Sequence, residues 1–218
     1  MNFEQARANM VEQQIRPWDV LDQDVLDLLY AIPRESFVPS KSKQLAFADV
    51  EIPLGHGEAM WAPKIEARAM QALAVTRHDR VLEIGTGSGY LTALLARRAA
   101  HVYSLEIKPA LAEFGRANLA RHGADNVTLE TADGARGCGK WAPYNVIVLT
   151  GSTPVLPRAF IEQLAPGGRL FAVIGDAPVM RATFAVCAAQ GMATRTTLFE
   201  TLLKPLDNAE QPERFDFR

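Results

Sequence analysis

The stretch Val81-Leu-Glu-Ile-Gly-Thr-Gly-Ser-Gly-Tyr90 opens as a short apolar run and breaks at once into three glycines spaced two apart. Such a run predicts a buried parallel strand that delivers the chain into a tight turn. From Tyr90 to Arg98, Leu91, Leu94 and Leu95 fall on one helical face, and the segment ends in two arginines suited to the negative end of a helix dipole. A second apolar run, Val102 to Ile107, carries Glu106 near its end. The predicted order is strand, glycine turn, helix, strand, acid.

Glycine at 85, 87 and 89 leaves the backbone open to a ligand and allows dihedrals that other residues reach only at a cost. An acid about 20 residues after such a turn, at the tip of the next strand, can accept both hydroxyls of a ribose. The G-x-G-x-G spacing brings the third glycine one residue earlier than the dinucleotide fingerprint does. Glu83 stands two residues before Gly85, where a carboxylate can meet a cationic ligand group rather than a pyrophosphate. The pattern favours S-adenosylmethionine as cofactor; the alternative is a structural glycine turn in another α/β protein.

At 218 residues the chain fits one α/β domain with an N-terminal addition. We expect a single domain over 1–218, with residues 1–63 a helical and loop segment covering the site and 64–218 a Rossmann-like core. The hydrophobic share of 48% and charged share of 22% are ordinary for globular chains, and a net charge of -2 offers no basic field for nucleic acid. Cys138 and Cys187 lie far apart, and His56, His78, His101 and His122 show no ligand spacing, so neither a disulfide framework nor a metal site is expected. The first residues are too polar for a signal peptide and no apolar run has the length of a membrane span, so the expected address is cytoplasmic, without a membrane partner.

Residues 2 to 15 read as a mildly amphipathic helix stopped by Arg16-Pro17, and Asp19 or Asp22 can cap a second helix through Leu29. Residues 46 to 63 hold too many prolines and glycines for a long element and read as an ordered loop. Helices are predicted over 64–73, 109–121 and 156–164, and strands over 127–131, 144–150 and 169–174. The third strand delivers Asp133-Gly134, where an open α/β sheet binds ligands, and Asp133 can accept from an adenine amino group. Segments 180–188 and 193–203, flanking Gln190-Gly191, predict an antiparallel pair. The expected fold is a doubly wound, mostly parallel sheet with helices on both faces and this pair at its C-terminal end.

Together these residues resemble the class I S-adenosylmethionine-dependent methyltransferases, and more narrowly the protein-L-isoaspartate O-methyltransferase family. The narrow resemblance rests on Ile32-Pro-Arg-Glu-Ser-Phe-Val-Pro39, Ala46-Phe-Ala-Asp49, Ile52-Pro-Leu-Gly55, Val81 to Tyr90, Asn126-Val127 with Asp133-Gly134, and Gln163 to Leu170. It implies that Glu83 and the loop Gly85, Thr86, Gly87, Ser88, Gly89, Tyr90 hold the methionine end of the cofactor. Glu106 with Ile107 would hold the ribose, Asp133 and Gly134 would surround the adenine, and Thr150 would lie at the mouth of the fourth strand. The implied activity is methylation of a peptide or protein carboxylate, that of an isoaspartyl residue in damaged protein. A carboxylate of pKa about 4 is already ionised at neutral pH, so positioning and exclusion of water matter more than a general base.

One loop departs from the family pattern. Where the family reads Gly-Gln-Thr-Ile-Ser followed closely by Pro, this chain has Gly57-Glu58-Ala59-Met60-Trp61-Ala62-Pro63. The serine associated with the active site is Trp61, so no catalytic residue is assigned. In the tail, the family's Val-Pro-Leu is Lys204-Pro205-Leu206. Ala59, Met60, Trp61 and Lys204 are the expected acceptor-side residues. Three readings follow from them: a different, smaller or aromatic acceptor with Lys204 attracting its anionic group, retained isoaspartyl activity, or cofactor binding without transfer.

Overall fold

The computed structural model describes residues 2–189 and 191–212. Asn2 opens α1 (Phe3–Met10) by accepting from the Gln5 N–H, one of the donors a first turn leaves unpaired. The helix runs on through a widened turn to Ile15 and a tightened one over Arg16–Trp18, and Asp19, at φ 58°, turns the chain away. Of the two candidate caps, Asp22 is the one used: its side chain accepts from the Asp24 N–H at the start of α2 (Gln23–Ala31).

Segment 46–63 is not a plain loop. It contains a hairpin of β1 (Ile52–Gly55) and β2 (Glu58–Met60). His56 and Gly57 make the reversal at φ 55° and 76°, the mirror-image turn whose twist matches paired strands. Pro53 within the first strand and a histidine at positive φ hide that hairpin from sequence patterns.

α3 (Pro63–Leu73), β3 (Arg80–Ile84), α4 (Tyr90–Arg98), β4 (His101–Glu106), α5 (Pro109–Arg121) and β5 (Val127–Thr131) follow closely where predicted. β6 (Tyr144–Thr153) runs past the predicted end at Thr150. Its last residues are held extended by the tail: the Ser152 N–H donates to the Lys204 carbonyl, and the Leu206 N–H donates to that of Ser152. α6 (Arg158–Glu162) is shorter than expected and β7 (Leu164–Asp176) longer. β8 (Val179–Ala189) and β9 (Met192–Thr201) form the antiparallel pair; of the predicted turn between them, Gln190 lies outside the described residues.

The seven-stranded sheet has the order β5-β4-β3-β6-β7-β8-β9, and only β8 runs against the others. Alternate residues serve opposite faces: Val81, Val146, Val148 and Phe171 join the core beneath α2, α3 and α4, while Leu82, Ile147, Leu149 and Leu170 join the one containing Phe160 and Ile161 of α6. Strand order reverses between β3 and β6, the point at which doubly wound sheets open a crevice for ligands. No helix of the described residues is long and apolar enough to cross a membrane.

Candidate active site

The turn after β3 is shaped by its three glycines, at φ 95°, 53° and 81° for Gly85, Gly87 and Gly89. At Gly85 the absence of a side chain is also a steric requirement, because a Cβ there would sit 2.2 Å from Oγ1 of Thr150. The Thr150 hydroxyl is turned into the turn itself, donating to the carbonyls of Ile84 (2.9 Å) and Gly85 (2.8 Å). From the other side α5 presses on the turn through Gly115, where a Cβ would lie 2.9 Å from Cγ2 of Thr86 and 3.1 Å from the Gly87 carbonyl. Gly115 is a positioning residue that sequence reasoning missed; its only signal is a lone glycine inside a helical pattern.

Below the turn, Glu106 is buried at the end of β4 and accepts from the N–H groups of Gly87 (2.9 Å) and Lys108 (3.0 Å). Asp133 accepts from the Ala135 N–H and from the Asn208 side chain, each at 2.9 Å, and Gly134 lies against Ile84 so closely that a Cβ would stand 2.8 Å from its Cδ1. These residues line one end of an open cleft of about 780 Å³, and Ala59, Trp61, Thr150 and Lys204 line the other. Gly85, Gly87 and Ile107 lie along it. Met60, Thr86 and Ser88 line a smaller inner extension beside Glu66.

Glu83, Gly89 and Tyr90 stand behind the turn and do not line the cleft. The Glu83 carboxyl is fully buried and its Oε2 accepts from the hydroxyls of Thr92 (2.5 Å) and Ser104 (2.6 Å). Burial pushes it up to about 8, against the pull of those two hydroxyls. Tyr90 packs its ring under the Arg34 guanidinium, 5.0 Å from the centroid, and edge-on to Phe37.

The acceptor loop is pinned from beneath. Arg34, fully buried, pairs with Glu66 of α3 and donates to the Trp61 carbonyl, tying the 32–39 segment to both. Burial pushes the Glu66 carboxyl up to about 8 even with Arg34 drawing it down. The Trp61 ring is 6% exposed and meets Phe171 edge-on at 6.0 Å, while its indole N–H finds no partner among the described residues. Lys204 is not free: it is bound to Glu58 and reaches Asp207 at 3.6 Å. Lys108 bonds the same two carboxylates, at 3.2 and 2.8 Å, which raises its own pKa and lowers that of Asp207.

The cleft therefore joins a glycine turn, an anchored acid at the end of β4 and the hairpin of β1 and β2. A sequence model of the family described as protein-L-isoaspartate(D-aspartate) O-methyltransferase (PCMT) matches residues 5–210. The chain belongs to that family. Among curated members it is 44% identical over 169 residues to the protein-L-isoaspartate O-methyltransferase of Methanoculleus marisnigri, covering 78% of this chain and 77% of that one. It is 36% identical over 200 residues to that of Koribacter versatilis, covering 92% and 90%. The fold superposes with a TM-score of 0.80 on a family member from Plasmodium falciparum in complex with S-adenosyl-L-homocysteine, at 20% identity and 95% and 99% coverage.

Proposed function

We propose that this protein methylates the carboxylate of isoaspartyl residues in peptides and proteins, using S-adenosylmethionine, and so serves repair of damaged protein. The observation that carries the cofactor half is the Glu106 carboxylate held under the glycine turn by the Gly87 N–H, beside a crevice lined by Gly85, Gly87 and Gly134. An acidic cleft also suits a cation: Glu51, Glu58, Glu106, Asp133 and Asp207 all line it. Glu106 would take the ribose, Asp133 and Gly134 the adenine, and Gly85 to Ser88 the methionine end. When bound, the cofactor supplies an electrophilic methyl group on a sulfonium, which leaves as the neutral thioether when a carboxylate oxygen takes the methyl.

The protein's own share is positioning. Trp61, Ala59 and Thr150 wall the acceptor end and exclude water, while the Thr150 hydroxyl fixes the turn rather than a proton in flight. No titratable group is needed as base, because the acceptor is ionised at neutral pH. Cys138 and Cys187, both free thiols, accord with the cytoplasmic address expected from the sequence.

The test is initial-rate transfer of a labelled methyl group to a peptide carrying one isoaspartyl residue, with the normal aspartyl peptide as control. Transfer confined to the isoaspartyl peptide is expected; cofactor binding with no transfer to either would sink the proposed activity. Of the other two sequence-based expectations, nothing in the cleft favours a smaller or aromatic acceptor, or a binding protein without transfer.

A further inference from the structure

The acceptor is an anion, yet the cleft it must enter is lined by five carboxylates, and among the described lining residues Lys204 is the one base. Ala59 and Trp61 line the acceptor end and offer it no hydroxyl. We propose that Lys204 is the residue that recognises the acceptor carboxylate, and that Glu58 occupies its ammonium until the acceptor displaces it. This rests on the isoaspartyl assignment above and names the specificity determinant within it.

Four observations carry the exchange. Glu58 is itself a carboxylate bound to Lys204, so the closed state displays the recognition that the acceptor would reproduce. Displacement leaves no charge stranded: Glu58 keeps Lys108 at 3.2 Å, and Lys108 also holds Asp207 at 2.8 Å. The pair is half in solvent, with side chains 47% and 25% exposed, and ion pairs in such surroundings contribute little, so one carboxylate replaces another at small cost. The ammonium also has the reach and the directional freedom for this: it is borne on a flexible stem from the segment bridged to Ser152, and stands over the hairpin, 4.0 Å from a Cβ built on Gly57.

The experiment compares Lys204→Met, Lys204→Arg and Glu58→Gln with the unmodified protein, using the isoaspartyl peptide for kinetics and S-adenosylhomocysteine titration for cofactor affinity. Lys204→Met is expected to raise the acceptor KM by roughly two- to fivefold, the worth of a partly exposed ion pair. Its kcat and cofactor affinity should stay near the original, and Lys204→Arg should recover most of the loss. Glu58→Gln should lower the acceptor KM. Added salt, which screens the five carboxylates as well as the ion pair, should lower KM more in Lys204→Met than in the unmodified protein. An acceptor KM unmoved by Lys204→Met overturns the proposal, and a KM raised by Glu58→Gln overturns the exchange. If the unmodified protein binds cofactor but transfers nothing, the isoaspartyl assignment falls and takes this proposal with it, a result distinct from transfer that ignores Lys204.

Discussion

The hydroxyl of Thr150 occupies the space that a side chain on Gly85 would need: a Cβ there would approach it to 2.2 Å, and the same hydroxyl donates to the carbonyls of Ile84 and Gly85. The end of β6 and the turn after β3 are thereby locked together at the switch point of the sheet. Gly85→Ala must both adopt a φ of 95° and push Thr150 away. Backbone strain of this kind costs about 1–3 kcal/mol before any clash is added. Cofactor affinity measured by calorimetry should fall at least tenfold, and a variant binding as well as the original would show that the lock is dispensable.

Arg34 and Glu66 form a buried pair, and removing one partner of such a pair strands the other. Arg34→Met should destabilise the protein by roughly 3–5 kcal/mol where Glu66 is ionised. Without the guanidinium the Glu66 carboxyl is held still further above its unfolded value of 4.5, so the folded state binds the extra proton and stability declines as pH rises. Urea midpoints should therefore show a larger deficit at pH 9 than at pH 6. The double variant Arg34→Met with Glu66→Leu should recover most of it; equal deficits in single and double variants would contradict the pairing.

Glu83 gives a second pH dependence. Its folded pKa of about 8 lies above the unfolded 4.5, so its contribution is fully present below about pH 4.5 and is lost as pH rises toward and through 8. Melting temperatures of the cofactor-free protein should fall across that window. In Glu83→Gln, which keeps the shape without the charge, this component of the slope should vanish. A slope identical in both proteins would place Glu83 outside the titration.

Trp61 can be tested against the serine that the family resemblance places at its position. Trp61→Ser removes a ring packed on Phe171 and should lower stability by about 3–5 kcal/mol, seen as a reduced melting temperature. Combined with Ala59→Thr it restores small donors to the acceptor loop, and kcat/KM for the isoaspartyl peptide, assayed well below the melting temperature, should rise. No rise would mean that the ring does not limit the acceptor.

Strands β3 and β4 and their helices were legible because buried central parallel strands read as short apolar runs, and the three glycines after β3 mark its exit, so composition and geometry carry the same signal. The hairpin of β1 and β2 was hidden by Pro53 and by His56 at positive φ, whose conformation is imposed by the pairing rather than by the residue. The extension of β6 was equally invisible, since the tail 50 residues on supplies its hydrogen bonds.

The sequence by itself determined the glycine turn, the acid that follows it and the family, because each is carried by short motifs whose residues are close together in the chain, taken in their order. Only the tertiary structure decided which way side chains point: Glu83 into the core with Thr92 and Ser104, Thr150 onto Gly85, Gly115 against the turn. It likewise gave Lys204 its partner, Glu58, 146 residues away. Such long-range contacts leave no spacing in the sequence; they follow from the hairpin and the tail meeting above the glycine turn where the strand order reverses.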